Sequence, residues 1–421
     1  MEDPPTVERT WAESRYTGLF TQHGPVPPRP HDPDVSIWGG LLAPLGSRSD
    51  PLAVGGAGWD RSAARGAALG EAIERWQPCA MPDDRVVEAR FEAWPLDEPT
   101  VEPARWVLFA PDQYDLPGFP FRPLTSQTVC RWVGCRTAPE GTPCWVPEDL
   151  VFLFGRPGAF HTFGPSTSTG LSSGRPGDPV LLRGVQEVIE RDALMGAWWG
   201  RYPFVEWEQE HVLEILDPSL ANRILRPNLH YRFYRIDSPY SAHATIVTLT
   251  GEDHEGYCFS AGSACRETRA DSWEKSLLEA VQGRHYVRRL KEQQGHRATS
   301  AEPMPPTTFA EHAVYYSLHP ERLAGTVFHR AGARDDNTND SDRPEDLARL
   351  IERLGPDRPV LFRNLTPPAV AQGPRDWYVL RVVVPGLQPM HGDHWLPFLG
   401  GPLWRPRGVA DWASLPPHPF A

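Results

Sequence analysis

One pattern, repeated three times, constrains this chain more than any other: a glycine-bearing segment followed by a helix with acidic residues on one face. In the central copy, Ser168 to Asp192, a Ser/Thr/Gly loop feeds a helix carrying Glu187 and Glu190, with Arg191 and Asp192 directly behind. Upstream, Gly55-Gly56-Ala57-Gly58 leads to Glu71 and Glu74, followed by Arg75. Downstream, Gly262 leads to Glu279, with Gln282 at the second acidic position and Arg284 beyond it. The copies keep register. Gly58 precedes Glu71 by 13 residues, as Gly174 precedes Glu187; Gly262 precedes Glu279 by 17, as Gly170 precedes Glu187.

Residues three apart on a helix share a face, so each carboxylate pair repels itself, and burial adds a desolvation cost. A single copy reads as a solvated acidic face beside its own arginine. Three copies in register instead suggest facing elements that converge on one site, and a divalent cation on oxygen ligands would relieve the repulsion. Glycine segments at helix N-termini offer unpaired N–H groups suited to phosphate. Together these features describe a Mg-nucleotide site. The chain has no GxxxxGK[ST], no kinase glycine loop with its H-R-D, and no GxGxxG after a clear strand. Lys275 and Lys291 are the only lysines, so phosphate charge falls to Arg75, Arg191 and Arg284, whose planar forks pair two oxygens at once.

Other function classes are excluded by composition and spacing. A net charge of −12 with no basic run argues against nucleic acid as a partner. No signal peptide precedes the chain's body, and no apolar run reaches the length of a membrane span. The six cysteines contain no CxxC, which fits free thiols in a reducing cytoplasm; Cys130, Cys135 and Cys144 have the wrong spacing for a zinc ribbon. Ser166 and Ser168 lack a G-x-S-x-G frame. Carboxylates on one helix face stand too close for a glycosidase pair. His391 and His394 read as incidental loop residues.

In chain order, residues 1–35 are rich in Pro, Arg and Asp and read as a loosely structured lead-in, with the domain proper spanning 36–421. Short apolar stretches between Val35 and Val54 predict an edge strand or hairpin. Closely spaced prolines rule out long helices over 83–126. Strands are expected at 129–133, 144–146, 231–236, 245–249, 360–362 and 378–384, and a long helix at 269–290. The polar stretches 292–306 and 335–344 read as mobile loops. An amphipathic helix at 345–354 should start near Ser341 or Asp342 and stop at Gly355. Strands alternating with helices point to an α/β or α+β fold.

These motifs together resemble the YcaO family of ATP-dependent peptide-backbone-modifying enzymes. The resemblance covers roughly residues 35 to 421. It rests on G-G-A-G…A-A-L-G-E-A-I-E-R at 55–75, S-T-G-L-S-S-G…E-V-I-E-R-D-A at 168–193 and L-L-E-A-V-Q-G-R at 277–284, with V-V-V-P-G-L-Q-P at 382–389 and L-G-G-P at 399–402. It implies a YcaO-type ATP-binding fold with Mg²⁺ held by Glu71, Glu74, Glu187 and Glu190. Ser168, Arg75, Arg191, Glu279, Gln282 and Arg284 become nucleotide contacts. The ending Pro416-Pro417-His418-Pro419-Phe420-Ala421 is similar to the proline-rich tail of the azoline-forming cyclodehydratases, which implies a catalytic role for Pro417, Pro419 and Ala421. It further implies a precursor peptide substrate, a separate E1-like or ocin-ThiF-like leader-binding partner, a flavin-dependent dehydrogenase acting alongside, and a homodimer. The chain departs from the family pattern at Ala57, where a lysine is frequent, at Thr169, where an asparagine is frequent, and at Ala421, where a last proline would fall. Thioamide or amidine formation, and a non-catalytic ATP-binding scaffold, stand as the alternatives.

Overall fold

A computed structural model describes residues 11–14, 18–45, 50–79, 86–153, 162–253, 256–294, 303–333, 343–366 and 377–420. These residues form three sheets. The first is an antiparallel sheet of β1 (Phe20–Val26), β2 (Ser36–Leu42) and β3 (Leu52–Gly58), covered by helix α1 (Arg61–Trp76). The second runs β4 (Val86–Ala89), β5 (Cys130–Thr137), β13 (Leu361–Asn364), β14 (Tyr378–Val383), β7 (Leu171–Gly174), with β6 (Pro143–Pro147) paired on β5. Helix α3 (Val180–Trp198) packs on β14 and β7. The third runs β11 (Gly256–Cys265), β10 (Ala244–Asp253), β9 (Leu229–Ile236), β8 (Phe204–Trp207), β12 (Gly332–Ala333), and α6 (Arg269–Gln294) covers β11 and β10. Among the described residues, β8 with β12 is the one parallel pair of these strands. The remaining helices there are short: α2 (Pro111–Tyr114), α4 (Gln209–Ile215), α5 (Ser219–Ile224), α7 (Phe309–Leu318) and α8 (Leu347–Leu354).

Each acidic helix thus follows directly from a strand of the sheet it covers: β3 into α1, β7 into α3, β11 into α6. The glycine segments, expected as loops, are largely strand residues. Their purpose is close approach. A Cβ on Gly56 would lie 2.4 Å from the Ala64 carbonyl oxygen, and one on Gly262 would lie 2.2 Å from that of Ser276. Glycine lets the helix backbone settle onto the strand at those points.

Several local expectations need correction. The lead-in contributes a strand, because Phe20–Val26 pairs with β2 through its backbone while its own side chains stay mostly exposed. It therefore carries no buried face for sequence pattern to show. Helix α8 is capped by Asp346, whose side chain accepts from Arg349 N–H at 2.9 Å, and Gly355 ends it at φ 71°. The alternative start residues Ser341 and Asp342, and most of the polar stretches 292–306 and 335–344, lie outside the described residues. Among the described residues no helix is long and apolar enough to cross a membrane.

Candidate functional site

In two of the three units the strand preceding the helix holds that helix's first carboxylate. Gly55 N–H donates to Glu71 Oε2 at 2.7 Å, and Ser263 N–H donates to Glu279 Oε2 at 3.4 Å. Both donors lie sixteen residues before their acceptors, in the register read from the repeats. The units then interlock. The Ser263 hydroxyl, on β11, donates to Glu190 Oε1 of α3 at 2.7 Å. Gln282 of α6 places its Nε2 3.2 Å from where a Cβ on Gly55 of β3 would begin. The three repeats, far apart in sequence, share one wall.

Carboxylates and cations crowd that wall. Arg75 stands 3.5 Å from Glu71 and 3.8 Å from Glu74, and Arg191 stands 3.9 Å from Glu187. Lys275 pairs with Glu279 at 3.2 Å. Burial pushes the Glu74 carboxyl up to about 8; Glu187 and Glu71 add to the rise, and Arg75 and Lys275 oppose it. Burial likewise lifts Glu187 to about 7, with Glu190 adding to it and Arg191, Arg75 and Arg381 opposing. Arg381 of β14 is itself lowered to about 10 by burial, although Glu187 and Glu74 pull back. The nearby cations thus leave two carboxyl groups partly protonated near neutral pH. Clustered hard oxygen donors raised by burial suit a divalent cation such as Mg²⁺, whose arrival would release those protons.

The N-terminus of α1 stands apart from that helix's own carboxylates. Glu74 lies thirteen residues into α1, about 20 Å along its axis from the first residue. The N-terminal end of α1 is moreover capped by Asp60, which accepts from Ala63 N–H at 2.8 Å. Phosphate charge on this wall would meet metal and arginine instead.

The other expected site residues are placed as follows. Ser168 is half-buried in the turn before β7, its carbonyl accepting from Leu171 N–H at 2.9 Å. The adjacent Thr167 carbonyl accepts from Arg381 at 2.9 Å. Arg191 also reaches the Met390 sulfur at 3.7 Å. Arg284 is fully buried on α6, with Tyr231 and His285 among its electrostatic neighbours. Pro417 and Pro419 are buried in a tail held by donors from two helices: Trp198 Nε1 to the Pro416 carbonyl at 2.9 Å and Tyr316 OH to that of Pro417 at 2.7 Å. Ala421 lies outside the described residues.

Sequence reasoning missed Arg381, Lys275 and Ser263. A lone arginine inside Y-V-L-R-V-V was a usable signal, since an unpaired charge has no reason to sit in a buried strand. Arg381 also borders a cavity of about 90 Å³ lined by Thr167, Thr169, Val188, Leu387 and Phe398. Behind the wall, Asp192 accepts from Tyr202 OH and from Gln388 N–H, both at 2.8 Å, which fastens the loop after β14 to α3.

Comparison with known proteins agrees with this fold. A heterocyclase solved in complex with substrate and cofactor superposes with a TM-score of 0.68 at 15% identity, covering 91% of this chain and 52% of that one. The chain therefore spans about half the length of that heterocyclase. YcaO from Methanopyrus kandleri, bound with AMPPCP and Mg²⁺, gives a TM-score of 0.58 at 19% identity, covering 90% and 88%. The E. coli microcin synthetase McbBCD complex gives 0.62 at 14% identity, covering 95% and 96%. An uncharacterized protein of Methanothermobacter thermautotrophicus is 30% identical over 141 residues, which is 33% of this chain and 32% of that protein. The family model for YcaO cyclodehydratases, ATP- and Mg²⁺-binding, matches residues 55–388. With the acidic wall falling inside that span, the chain belongs to the YcaO family, an enzyme family whose cofactors are ATP and Mg²⁺.

Proposed function

We propose that this protein is an ATP-dependent cyclodehydratase acting on Cys, Ser or Thr in a ribosomally synthesised precursor peptide. The observation that carries the reading is the carboxylate wall built from three repeats inside the family match, where burial raises Glu74 and Glu187. Glu71, Glu74, Glu187 and Glu190 would hold Mg²⁺, while Arg75, Arg191 and Arg381 would face phosphate oxygens with Ser168, Glu279, Gln282 and Arg284 around them.

In the reaction, the thiol or hydroxyl of the peptide adds to the preceding backbone carbonyl and gives up its proton. The former carbonyl oxygen takes the phosphoryl group that ATP supplies. Loss of the amide proton then forms the C=N bond as phosphate leaves, so the peptide loses the elements of water and ATP becomes ADP. The chain's own residues bind, orient and neutralise: the arginines stabilise charge on the transferring group. The tail through Pro417, Pro419 and Ala421 would order the site.

The microcin synthetase relative is a McbBCD complex, one structure of which has pro-MccB17 bound. This supports a peptide substrate and a separate partner protein; our reading takes that partner as of the E1-like or ocin-ThiF-like leader-binding kind, and adds a flavin-dependent dehydrogenase and a homodimer in the cytoplasm.

The test is mass spectrometry of a precursor peptide incubated with protein, partner and Mg-ATP. Loss of one water per modified residue is expected. Exchange of oxygen for sulfur would reassign the enzyme to thioamide formation, and ATP binding without any mass change would reduce it to a scaffold.

A further inference from the structure

Outside the acidic wall, four histidines meet in a buried cluster: His312 on α7, His391 and His394 in the loop after β14, and His418 in the C-terminal segment. None is more than 5% exposed. One ring nitrogen from each of His312, His391 and His418 lies within 4.8 Å of the other two. The sequence reading of His391 and His394 as incidental does not survive this placement.

Their hydrogen bonds fix where the lone pairs are. His312 Nδ1 lies 2.6 Å from the His418 carbonyl oxygen, which can only accept, so Nδ1 carries the proton and the lone pair sits on Nε2. That Nε2 is buried without a hydrogen-bond partner. His418 Nε2 donates in the same way to the His391 carbonyl at 2.8 Å, leaving its lone pair on Nδ1, met by the Phe420 N–H at 3.3 Å. His391 has no partner on either ring nitrogen, and His394 Nδ1 has none. His312, its far N–H tied to a backbone carbonyl and its other nitrogen left open, has the orientation that metal-bound histidines use; His418 shares the tied N–H, and a metal would displace the Phe420 N–H from its Nδ1. Buried polar atoms without partners are costly, and natural structures rarely keep several together without a ligand.

We propose that His312, His391 and His418 bind one Zn²⁺ ion, with His394 at the edge of the site. Burial lowers all four rings from the ordinary imidazole range, which favours the neutral, metal-binding form. An all-imidazole donor set selects a borderline transition metal and rejects Mg²⁺, which separates this site chemically from the carboxylate wall. Binding draws the nitrogens in to about 3.4 Å from one another, the spacing on a tetrahedral ion. His312 and His418 are stacked at 4.0 Å and 7°, so one ring turns out of the stack, while His391 already stands edge-on to both, at 84° and 82°. The bound ion would staple the C-terminal tail to α7 and to the loop that carries Met390, the residue Arg191 touches.

The test uses the full-length protein stripped with a chelator and titrated with Zn²⁺, and in parallel with Co²⁺, whose visible bands report tetrahedral nitrogen ligation. One equivalent retained after gel filtration, with a raised melting midpoint, is expected from the native chain. His391→Gln and His418→Gln should each lose the equivalent and the Co²⁺ bands. The readout needs no catalysis, so it stands or falls independently of the peptide reaction. A folded native chain that retains no Zn²⁺ and shows no Co²⁺ bands would overturn the site, as would a folded His391→Gln protein that keeps its full equivalent.

Discussion

Replacing Glu187 by glutamine should stabilise the ligand-free protein at alkaline pH while removing its response to Mg-ATP. In the folded chain Glu187 is raised from 4.5 to about 7, chiefly by burial. Between those values the folded protein holds a proton that the unfolded chain has released. A raised carboxyl of this kind contributes stability that is fully present below about 4.5 and lost as pH rises through 7. At pH 8 the native chain therefore forgoes about 3 kcal/mol relative to acidic pH, since each tenfold gain in proton affinity on folding is worth roughly 1.4 kcal/mol. Glutamine has nothing to ionise. Unfolding entropy of about 2.1 cal/mol/K per residue puts 421 residues near 0.9 kcal/mol/K, so the difference corresponds to about 3 °C. Differential scanning calorimetry in EDTA at pH 5 and pH 8 reads this directly. The midpoint of Glu187→Gln relative to native should rise by about 3 °C between the two, and Mg-ATP at pH 8 should raise only the native midpoint. A difference between the proteins that stays constant or falls with pH would refute the burial of Glu187 among like charges. So would a Glu187→Gln protein that Mg-ATP still stabilises.

Two further outcomes follow from single hydrogen bonds. Ser263→Ala removes the donor to the buried Glu190 carboxylate, and should weaken Mg-ATP binding about tenfold by isothermal calorimetry, in line with about 1.5–3 kcal/mol for a bond to a charged group. Tyr316→Phe leaves the Pro417 carbonyl without its 2.7 Å donor, and should cost about 1–3 kcal/mol of stability and speed amide exchange in the tail, measured by hydrogen–deuterium exchange.

The acidic wall was legible because the same spacing recurs between its parts within this one chain. Register alone aligned Glu71, Glu187 and Glu279, and the strand donors at 55 and 263 keep that register in three dimensions. The role of the glycines was not legible. A strand glycine that admits a helix and a loop glycine that cradles phosphate look the same in sequence, and only the packing of Gly56 and Gly262 separates them. Strand β1 escaped notice because it is held by backbone pairing and buries little of its own. The histidine cluster escaped because its members come from positions 312, 391, 394 and 418, with no spacing that marks common purpose. Arg381 was visible as an oddity in an apolar strand, and its partners were not.

Because the carboxylate wall joins helices that belong to three separate sheets, nucleotide affinity is a property of the assembled molecule and of no fragment. Folding must close loops between positions 71, 187 and 279 before any of the wall exists. Mg-ATP then binds only the completed arrangement, and its binding energy bears on all three sheets at once, as a keystone loads every stone of an arch. A lesion far from the wall that loosens one sheet would surface first as weakened nucleotide binding, ahead of any visible loss of structure.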